Sequence, residues 1–205
     1  MWASLGDEML SHLALKRVIE MPGKKLLDVG SGAGEHSLKF AESGKEVTAI
    51  DIIDSAPVRK VRFLKGSWTE FRFKKEFDIV WCSHVLEHQL NVNIFLLWLK
   101  RSLKPDGYLA ITVPPMKHQI ASGHYTVWNA GLLLYNLIVA GFNCRDAQVL
   151  SYGYNISVII KNSEIELPEL HHHSWDISKL KRFFPKNIFF EGDTFFGDIQ
   201  QTNWG

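Results

Sequence analysis

The chain has 205 residues, of which 46% are apolar and 22% are charged, and its formal net charge at pH 7 is +1. This length and composition predict a single globular domain and exclude a disordered chain or a long coiled coil. Because the net charge is close to zero, there is no general electrostatic reason to expect nucleic acid as a partner.

The two cysteines, Cys82 and Cys144, are too few for a disulfide framework, which favours a reducing compartment. The N-terminus carries Asp7 and Glu8 and lacks a basic segment followed by an apolar run, so it does not predict a signal peptide. The longest apolar stretch, Leu132–Ala140, is far shorter than the roughly 20 residues of a membrane span. We therefore expect a cytoplasmic protein without a membrane segment.

Short apolar runs alternate with segments of helical periodicity along most of the chain. The runs that predict strands are Lys25–Val29, Glu46–Asp51, Val61–Leu64, Phe77–Cys82, Tyr108–Val113, about Phe142–Ser151 and Asn155–Lys161. The segments that predict helices are about Asp7–Glu20, Glu35–Ser43, about Asn91–Leu103 and about Val127–Ala140. This alternation is typical of a doubly wound α/β fold whose mostly parallel sheet is covered on both faces.

Two turns divide these elements further. Lys104–Gly107, which reads KPDG, has strong turn chemistry and predicts a break between the third helix and the fifth strand. Tyr152–Tyr154 joins the last two extended runs and predicts a hairpin, so the last strand is expected to be antiparallel.

A glycine-rich turn lies between the first strand and the next helix. Residues 27–34 read LDVGSGAG, and Asp51 ends the following strand 17 residues after Gly34. Glycines let the backbone approach a ligand closely, and a carboxylate at the end of the second strand can accept hydrogen bonds from both ribose hydroxyls. The spacing differs from the G-x-G-x-x-G of nicotinamide or flavin sites, because Glu35 occupies the third glycine slot, and the Lys-Ser/Thr of a P-loop is missing.

Four motifs in this order resemble the class I S-adenosylmethionine (SAM)-dependent methyltransferases. They are the glycine turn, the acid of AID at 49–51, the run FDIVWCSHVLEH at 77–88 and the run LKPDGYL at 103–109. The resemblance covers about Leu26–Lys161. It implies a Rossmann-like, mostly parallel seven-stranded sheet with an antiparallel last strand, and it implies SAM as the cofactor and S-adenosylhomocysteine as the product.

The resemblance also implies roles for individual residues. Gly30, Ser31, Gly32 and Gly34 are expected around the methionine part of SAM, and Asp28 is expected to orient the turn and to reach the amino group. Asp51, followed by Ile52, is expected to hold the ribose, and Ser83 to line the floor of the cofactor site. Many family members place an acid after the third-strand glycine, where this chain reads Gly66-Ser67-Trp68. Ser67 is therefore expected to hydrogen-bond the adenine and Trp68 to pack on its face.

From the same resemblance we expect a single domain with three parts: an N-terminal helix (1–24), a methyltransferase core (25–162) and a C-terminal extension (163–205). Residues 165–205 contain eight aromatic side chains, which an exposed tail would not carry, because burying each is worth about 1.5–3 kcal/mol. The sequence leaves open whether the extension packs on the core, covers the substrate as a lid or forms a dimer contact.

Histidines offer several candidate sites. His84, Glu87 and His88 match the H-x-x-E-H order of one zinc peptidase class, but no third ligand is placed by the sequence, so a packing role is expected and no metal. His171–His173 is interpreted as a polar loop, because adjacent side chains seldom share one ion. The loop after the fifth strand, Pro114–Thr126, opens toward the acceptor side of the sheet and offers His124, with His118 as its competitor, as a general base.

Three functions remain open at this point. The first is methyl transfer to a small-molecule acceptor, most simply to a hydroxyl oxygen of a sugar or another biosynthetic intermediate. A loose similarity to methyltransferases of glycan and natural-product pathways favours such an acceptor. The second is methyl transfer to a macromolecule, docked on a basic strip between Pro57 and Lys75. The third is a non-catalytic SAM-binding regulatory protein. The basic strip itself is expected to be a solvated edge.

Overall fold

A computed structural model describes residues 10–54 and 58–205 of the chain. The central sheet and a small C-terminal hairpin contain these strands: β1 (Lys25–Val29), β2 (Glu46–Asp51), β3 (Val61–Lys65), β4 (Phe77–Ser83), β5 (Leu103–Val113), β6 (Gln148–Tyr152), β7 (Asn155–Lys161), β8 (Phe190–Glu191), β9 (Thr194–Phe195) and β10 (Gln201–Thr202). The helices are α1 (His12–Glu20), α2 (Glu35–Glu42), α3 (Val92–Ser102), α4 (Ala130–Val139) and α5 (Asp176–Leu180).

Eight of the strands form one sheet in the order β10-β6-β7-β5-β4-β1-β2-β3. β1 to β5 pair in parallel, whereas β7 is antiparallel to both β5 and β6, and β10 is antiparallel to β6. Parallel pairing places the carboxyl ends of β1 to β5 at one edge of the sheet, and the antiparallel direction of β7 brings Asn155 to the same edge. Ligands of open α/β sheets bind at this edge.

Helices cover both faces of the sheet, as the alternation predicted. α1 and α2 contribute Leu15, Val18 and Phe40 to one buried cluster with Leu26 and Trp81 of the strands. α3 and α4 belong to a second, larger cluster, which also contains side chains of the C-terminal extension. The mostly parallel, Rossmann-like α/β fold with an antiparallel last strand is confirmed.

The predicted bounds of β1, β2 and β7 agree with the structure, and β5 is the main correction. β5 begins at Leu103 rather than Tyr108, so residues 104–107 lie within the strand instead of before it. The turn residues instead produce an irregularity within β5. The register of its pairing with β4 shifts between Phe77 and Ile79, and Asp106 has a φ of +62°.

Other helices and strands are shorter than predicted. α4 begins at Ala130, because the Asn129 side chain caps the helix by accepting the Leu132 N–H, and Trp128 instead pairs with Pro115. Of the extended run 142–151, residues 148–151 are in β6. The described part of the first helix begins at His12, and residues 7–9 of the predicted helix lie outside the described residues.

The C-terminal extension packs on the core in part. Leu180, Phe183 and Phe184 are buried in the larger cluster, and β10 adds an eighth strand to the sheet. Phe189 and Phe196 are 83% and 78% exposed, so the prediction of a fully packed aromatic segment holds for some of these side chains and not for others. None of the helices within residues 10–54 and 58–205 is long and apolar enough to cross a bilayer.

Candidate active site

The turn between β1 and α2 is built from three glycines in the left-handed region. Gly30, Gly32 and Gly34 have φ angles of +71°, +54° and +82°, which cost other residues about 1–2 kcal/mol each. A Cβ atom at Gly30 would lie 2.3 Å from Val85, and one at Gly34 would lie 2.5 Å from Val58. At Gly32, apart from the glycine and its two chain neighbours, no atom of the described residues lies within 4 Å of that position. The turn is therefore closed at both ends and open at Gly32, where a ligand can approach the backbone.

Asp28 lies directly before this turn and is 2% exposed. The Ser37 hydroxyl of α2 donates to Asp28 Oδ2 at 2.5 Å. Burial raises the pKa of Asp28 to about 7; the Ser37 hydrogen bond acts in the opposite direction, and the nearby Asp51 charge raises it. Asp28 thus changes protonation near neutral pH, and a cationic group placed close to it would favour the ionised form.

Asp51 connects the end of β2 to the glycine turn. Its Oδ2 accepts the Gly32 N–H at 2.8 Å, and its Oδ1 accepts the Ile53 N–H at 2.8 Å. Each carboxylate oxygen has a second lone pair, so Asp51 can accept two further donors. Ile52 and Ile53 are 70% and 68% exposed, which leaves aliphatic side chains beside this carboxylate.

Ser67 and Trp68 lie after β3, at the start of a short 3-10 helix. The Ser67 hydroxyl accepts from the N–H and the hydroxyl of Thr69, and Glu70 completes the capping box by accepting the Ser67 N–H. The Trp68 Nε1–H donates to Gln89 Oε1 at 2.8 Å, and its ring packs against aromatic rings of α3. Both side chains are engaged in capping and packing, so their contacts with adenine stay a prediction.

Ser83 ends β4 at the same edge and contacts residues that the sequence did not single out. Its hydroxyl lies 2.7 Å from the Ser11 hydroxyl, and the Ser11 N–H donates to Asn155 Oδ1 at 3.0 Å. Ser11 directly precedes α1 and is fully buried. Neither Ser11 nor Asn155 belongs to a motif, so only the folded chain shows that α1 begins over the end of β4.

The side chains around the turn fit a polar ligand with a positive charge. Ser31 Oγ is buried and, among the described residues, has no hydrogen-bond partner, a situation that costs about 1–3 kcal/mol. This hydroxyl is next to Gly32 in the turn, and the buried acid Asp28 directly precedes the turn. These features fit the amino-acid part of SAM, which carries an amino group and a carboxylate.

The loop after β4 holds a buried carboxylate between two imidazoles. Glu87 is 1% exposed, and its Oε1 lies 3.4 Å from His84 Nδ1 and 3.9 Å from His88 Nε2. The outer nitrogens are held as well: His84 Nε2 lies 2.9 Å from Asn155 Oδ1, and His88 Nδ1 lies 2.8 Å from the Gly123 carbonyl oxygen.

The loop after β5 closes onto this group. The Tyr125 N–H donates to the Glu87 carbonyl oxygen at 2.8 Å, and the His124 ring lies edge-on to the His88 ring, with centroids 4.9 Å apart. His118 is exposed and, in the part of the chain that the structure describes, does not join the group. Of the two predicted bases, the structure therefore brings His124 to the end of β4.

The remaining candidates from the sequence stay at the surface. The basic side chains of 58–75 are exposed on and around the edge strand β3, and Lys65 pairs with Asp54 at 3.0 Å. His171–His173 is exposed, and the backbone N–H groups of its first two residues donate to Asp176. These positions agree with a solvated edge and a polar loop.

Comparison with known proteins decides the family. Residues 7–151, more than half of the chain, match a family model described as a methyltransferase domain. The chain belongs to this family. It is a class I SAM-dependent methyltransferase domain, as the motifs predicted, and SAM is the cofactor of this class.

Curated relatives of this methyltransferase domain share part of its length. A ubiquinone biosynthesis O-methyltransferase from Rickettsia bellii is 37% identical over 98 residues, which are 43% of this chain and 41% of that protein. Another with the same description, from Rickettsia prowazekii, is 29% identical over 195 residues, or 83% of this chain and 73% of that protein. The chain thus spans less than half of the first relative.

A solved structure shows the same fold as this methyltransferase domain. It is the 1,6-didemethyltoxoflavin-N1-methyltransferase of Burkholderia thailandensis, with bound 1,6-didemethyltoxoflavin and S-adenosylhomocysteine. The TM-score is 0.66 at 22% identity, and the match covers 77% of this chain and 80% of that one. At this identity the likeness concerns the fold.

Proposed function

We propose that this methyltransferase domain transfers the methyl group of SAM to a small-molecule acceptor, at a hydroxyl oxygen of a sugar or another biosynthetic intermediate. The observation that carries the proposal is the open side of the glycine turn at Gly32, held by Asp51 at the edge where β1 and β2 end. The relatives described as O-methyltransferases support oxygen as the acceptor atom.

In this proposal the residues of the glycine turn surround the methionine part of SAM; they are Gly30, Ser31, Gly32 and Gly34. Asp28 holds the amino group, and Asp51 uses its two remaining lone pairs for the ribose hydroxyls. Each hydrogen bond to such a charged group is worth about 1.5–3 kcal/mol. Ile52, Ser67 and Trp68 surround the adenine, and Ser83 forms the floor. The exposure of Ile52 and the unpartnered Ser31 hydroxyl support these roles.

The acceptor lies on the side formed by the loop after β5. Thr126 Oγ1 and Trp128 Nε1 are buried there and have no hydrogen-bond partner among the described residues, which supports a polar ligand. The C-terminal extension reaches the end of this loop, since the Gly131 N–H at the start of α4 donates to the Gly197 carbonyl oxygen at 2.8 Å. Enclosure of the acceptor by the extension is part of this proposal, and it would exclude a macromolecular substrate.

When bound, SAM supplies a methyl group that is already activated on a sulfonium. The chain's own residues have to align the acceptor oxygen and exclude water from it. A hydroxyl must also lose its proton, and His124 is the proposed acceptor of that proton, with His118 as the alternative. General bases of this kind contribute about 10²–10⁴-fold to the rate.

Cofactor binding is tested with a matched pair of glycine variants. Gly32 and Gly44 lie at opposite ends of α2, both have positive φ, and a Cβ atom at either meets no described atom within 4 Å. Gly32→Ala and Gly44→Ala should therefore lose similar stability, about 1–2 kcal/mol each. Calorimetric titration with SAM should show at least tenfold weaker binding in Gly32→Ala alone. Equal SAM affinity in the two variants would contradict the site.

The acceptor is tested by a methyl-transfer screen with sugar hydroxyls, phenols, amines, RNA and protein. Transfer to a small hydroxyl compound supports the proposal. Transfer to RNA or protein, weakened by charge reversal at Arg62 and Lys65, would instead make the basic strip a docking surface. Tight SAM binding without transfer to any class would indicate a regulatory SAM-binding protein. A cytoplasmic location is proposed with the enzyme, because Cys82 and Cys144 are both free and buried.

A further inference from the structure

The strongest unassigned group in the molecule lies beside the acceptor side of the site. Glu87, His88 and His124 each present a ligand atom, and these atoms all lie within 4.8 Å of one another. Zinc bonds of about 2.0–2.2 Å place tetrahedral ligand atoms about 3.3–3.6 Å apart. Side-chain rotations that move these ligand atoms by about one ångström would therefore bring the three atoms to metal-binding distances. The sequence offered no third ligand beside the histidine pair of 84–88, and the fold supplies His124, which joins Glu87 and His88.

Hydrogen bonding fixes which nitrogen of His88 is available. The Gly123 carbonyl oxygen can only accept, so His88 Nδ1 carries the proton in this bond. In the neutral ring Nε2 then has a lone pair, and it faces Glu87 Oε1 at 3.9 Å. Metal-binding histidines are commonly oriented in this way, with the other ring nitrogen donating to a carbonyl oxygen.

His84 leads to the same conclusion from the other side of Glu87. Asn155 Oδ1 already accepts the Ser11 N–H, so it is an oxygen acceptor and His84 Nε2 donates to it. A neutral His84 therefore also turns a lone pair, on Nδ1, toward Glu87 Oε1 at 3.4 Å. When both rings are neutral, their lone pairs and the carboxylate face one another without a donor between them, and either a proton on one ring or a bound cation relieves this repulsion.

Burial of Glu87 adds an independent observation. Its side chain is 1% exposed, and its Oε2 has no hydrogen-bond partner among the described residues. A buried carboxylate with an unsatisfied oxygen is costly, and such groups are normally paired with a cation or bound to a metal. The carboxylate is held in place from its own backbone, because the Glu87 carbonyl oxygen accepts the Tyr125 N–H.

We propose that Glu87, His88 and His124 bind one divalent transition-metal cation of the Zn²⁺ type. Two imidazoles and one carboxylate suit Zn²⁺, Co²⁺ or Fe²⁺, whereas Mg²⁺ and Ca²⁺ prefer oxygen ligands. Three protein ligands leave at least one coordination position open, as in catalytic zinc sites. His88 is exposed and His124 is half-buried, so a small molecule can reach that position.

The use of this cation rests on the proposed function. An acceptor hydroxyl at the open position would be easier to deprotonate, with its proton leaving to solvent. His124 cannot give the same lone pair to a metal and to a proton. Proton removal by His124 and metal binding are therefore alternative uses of one residue, and metal dependence of the reaction separates them.

In the test, the full chain is stripped of metal with a chelator, dialysed and then titrated. Binding of Co²⁺ is measured by visible absorption, and binding of Zn²⁺ is measured by calorimetry. We expect one ion per chain, and affinity at least 100-fold lower in His124→Ala, His88→Ala and Glu87→Gln. Mg²⁺ at the same concentrations should produce no heat. His124 lies in a loop, so His124→Ala keeps the test valid if Glu87→Gln fails to fold; SAM affinity and melting without metal are the fold controls.

The matched control replaces all three residues of His171–His173 with alanine. These histidines are exposed, and two of their rings stack 5.5 Å apart, so they are the main competing metal ligands. One Co²⁺ per chain in this control supports the proposal. The absence of binding to the unmodified chain at about 100 μM, or binding lost in the control but kept in His124→Ala, would overturn it. SAM titration without metal is read separately, so failure there refutes the proposed function and not the metal site.

Discussion

Asp28 directly precedes the glycine turn and its buried carboxyl affects the stability of the fold, and replacing it with asparagine isolates that effect. Asp28→Asn keeps the shape and the acceptor oxygen for the Ser37 hydroxyl but removes the charge. Burial raises the pKa of Asp28 to about 7 from its ordinary value of 3.8. A carboxyl whose pKa is higher in the folded chain stabilises that chain fully below pH 3.8 and loses this contribution as the pH rises to about 7.

The size of the effect follows from that shift of about 3 pKa units. At about 1.4 kcal/mol per unit, ionised Asp28 lowers the free energy of unfolding by about 4 kcal/mol above pH 7. Between about pH 5 and pH 8 the change is about 2–3 kcal/mol, because part of the loss occurs below pH 5. Asparagine has its own cost, since a buried NH₂ group without an acceptor costs about 1–3 kcal/mol, but that cost does not vary with pH.

Denaturant unfolding at about pH 5 and pH 8 measures the difference between Asp28→Asn and the unmodified chain. The variant should gain about 2–3 kcal/mol relative to the unmodified chain across this interval. Asp78→Asn is the control: burial acts to raise the Asp78 pKa, but hydrogen bonds from Lys104 and from the Lys24 and Lys25 N–H groups lower it, so its titration lies below this interval. Its difference should stay constant. A constant difference for Asp28→Asn as well would show that the Asp28 pKa is not raised.

Three further predictions concern the same edge of the sheet and the C-terminus. Asp51→Ala should weaken SAM binding at least tenfold in calorimetry and Asp51→Asn less, because asparagine keeps one acceptor oxygen; unchanged affinity in both would refute the ribose contact. Gly30→Ala should lower the melting temperature more than Gly32→Ala, since its Cβ would lie 2.3 Å from Val85, and Val85→Ala should restore part of the loss. A chain ending at Ser163 should lose cooperative melting, because three buried side chains worth about 1.5–3 kcal/mol each are removed; a soluble, cooperatively melting product would contradict this.

The sequence predicted the sheet because buried parallel strands are nearly continuous apolar runs. β1 and β2 are parallel strands of this kind, and the antiparallel β7 is also a nearly continuous buried apolar run; the bounds of all three agree with the structure. β5 was predicted to start too late, because the proline and glycine of 104–107 are strong turn residues locally. Pairing with β4 carries the backbone through this segment with a register shift, and such pairing is a property of the folded sheet rather than of the four residues.

The geometry of the glycine turn followed from the sequence more fully than the group around Glu87. The glycines of 30–34 are specified by their own φ angles, and Asp51 by its place at a strand end, so local pattern is sufficient for both. Ser67 was assigned from a motif position, but its hydroxyl caps a short helix, which the Glu70 three residues later could have signalled as a capping box. His124 and Glu87 are 37 residues apart, and nothing local predicts that they meet.

The sheet order explains this asymmetry. β4, β5 and β7 are neighbours, and the group around Glu87 is assembled from the carboxyl ends of the first two strands and from the start of the third. The glycine turn and Asp51 come instead from β1 and β2 on the other side of β4. The two groups are not fully separate, because Val85 in the loop after β4 packs against Gly30 of the glycine turn and Gln89 in the same loop accepts the Trp68 Nε1–H. Even so, a fold divided largely in this way keeps one cofactor while its acceptors vary, so function has to be argued from the β4–β5–β7 side.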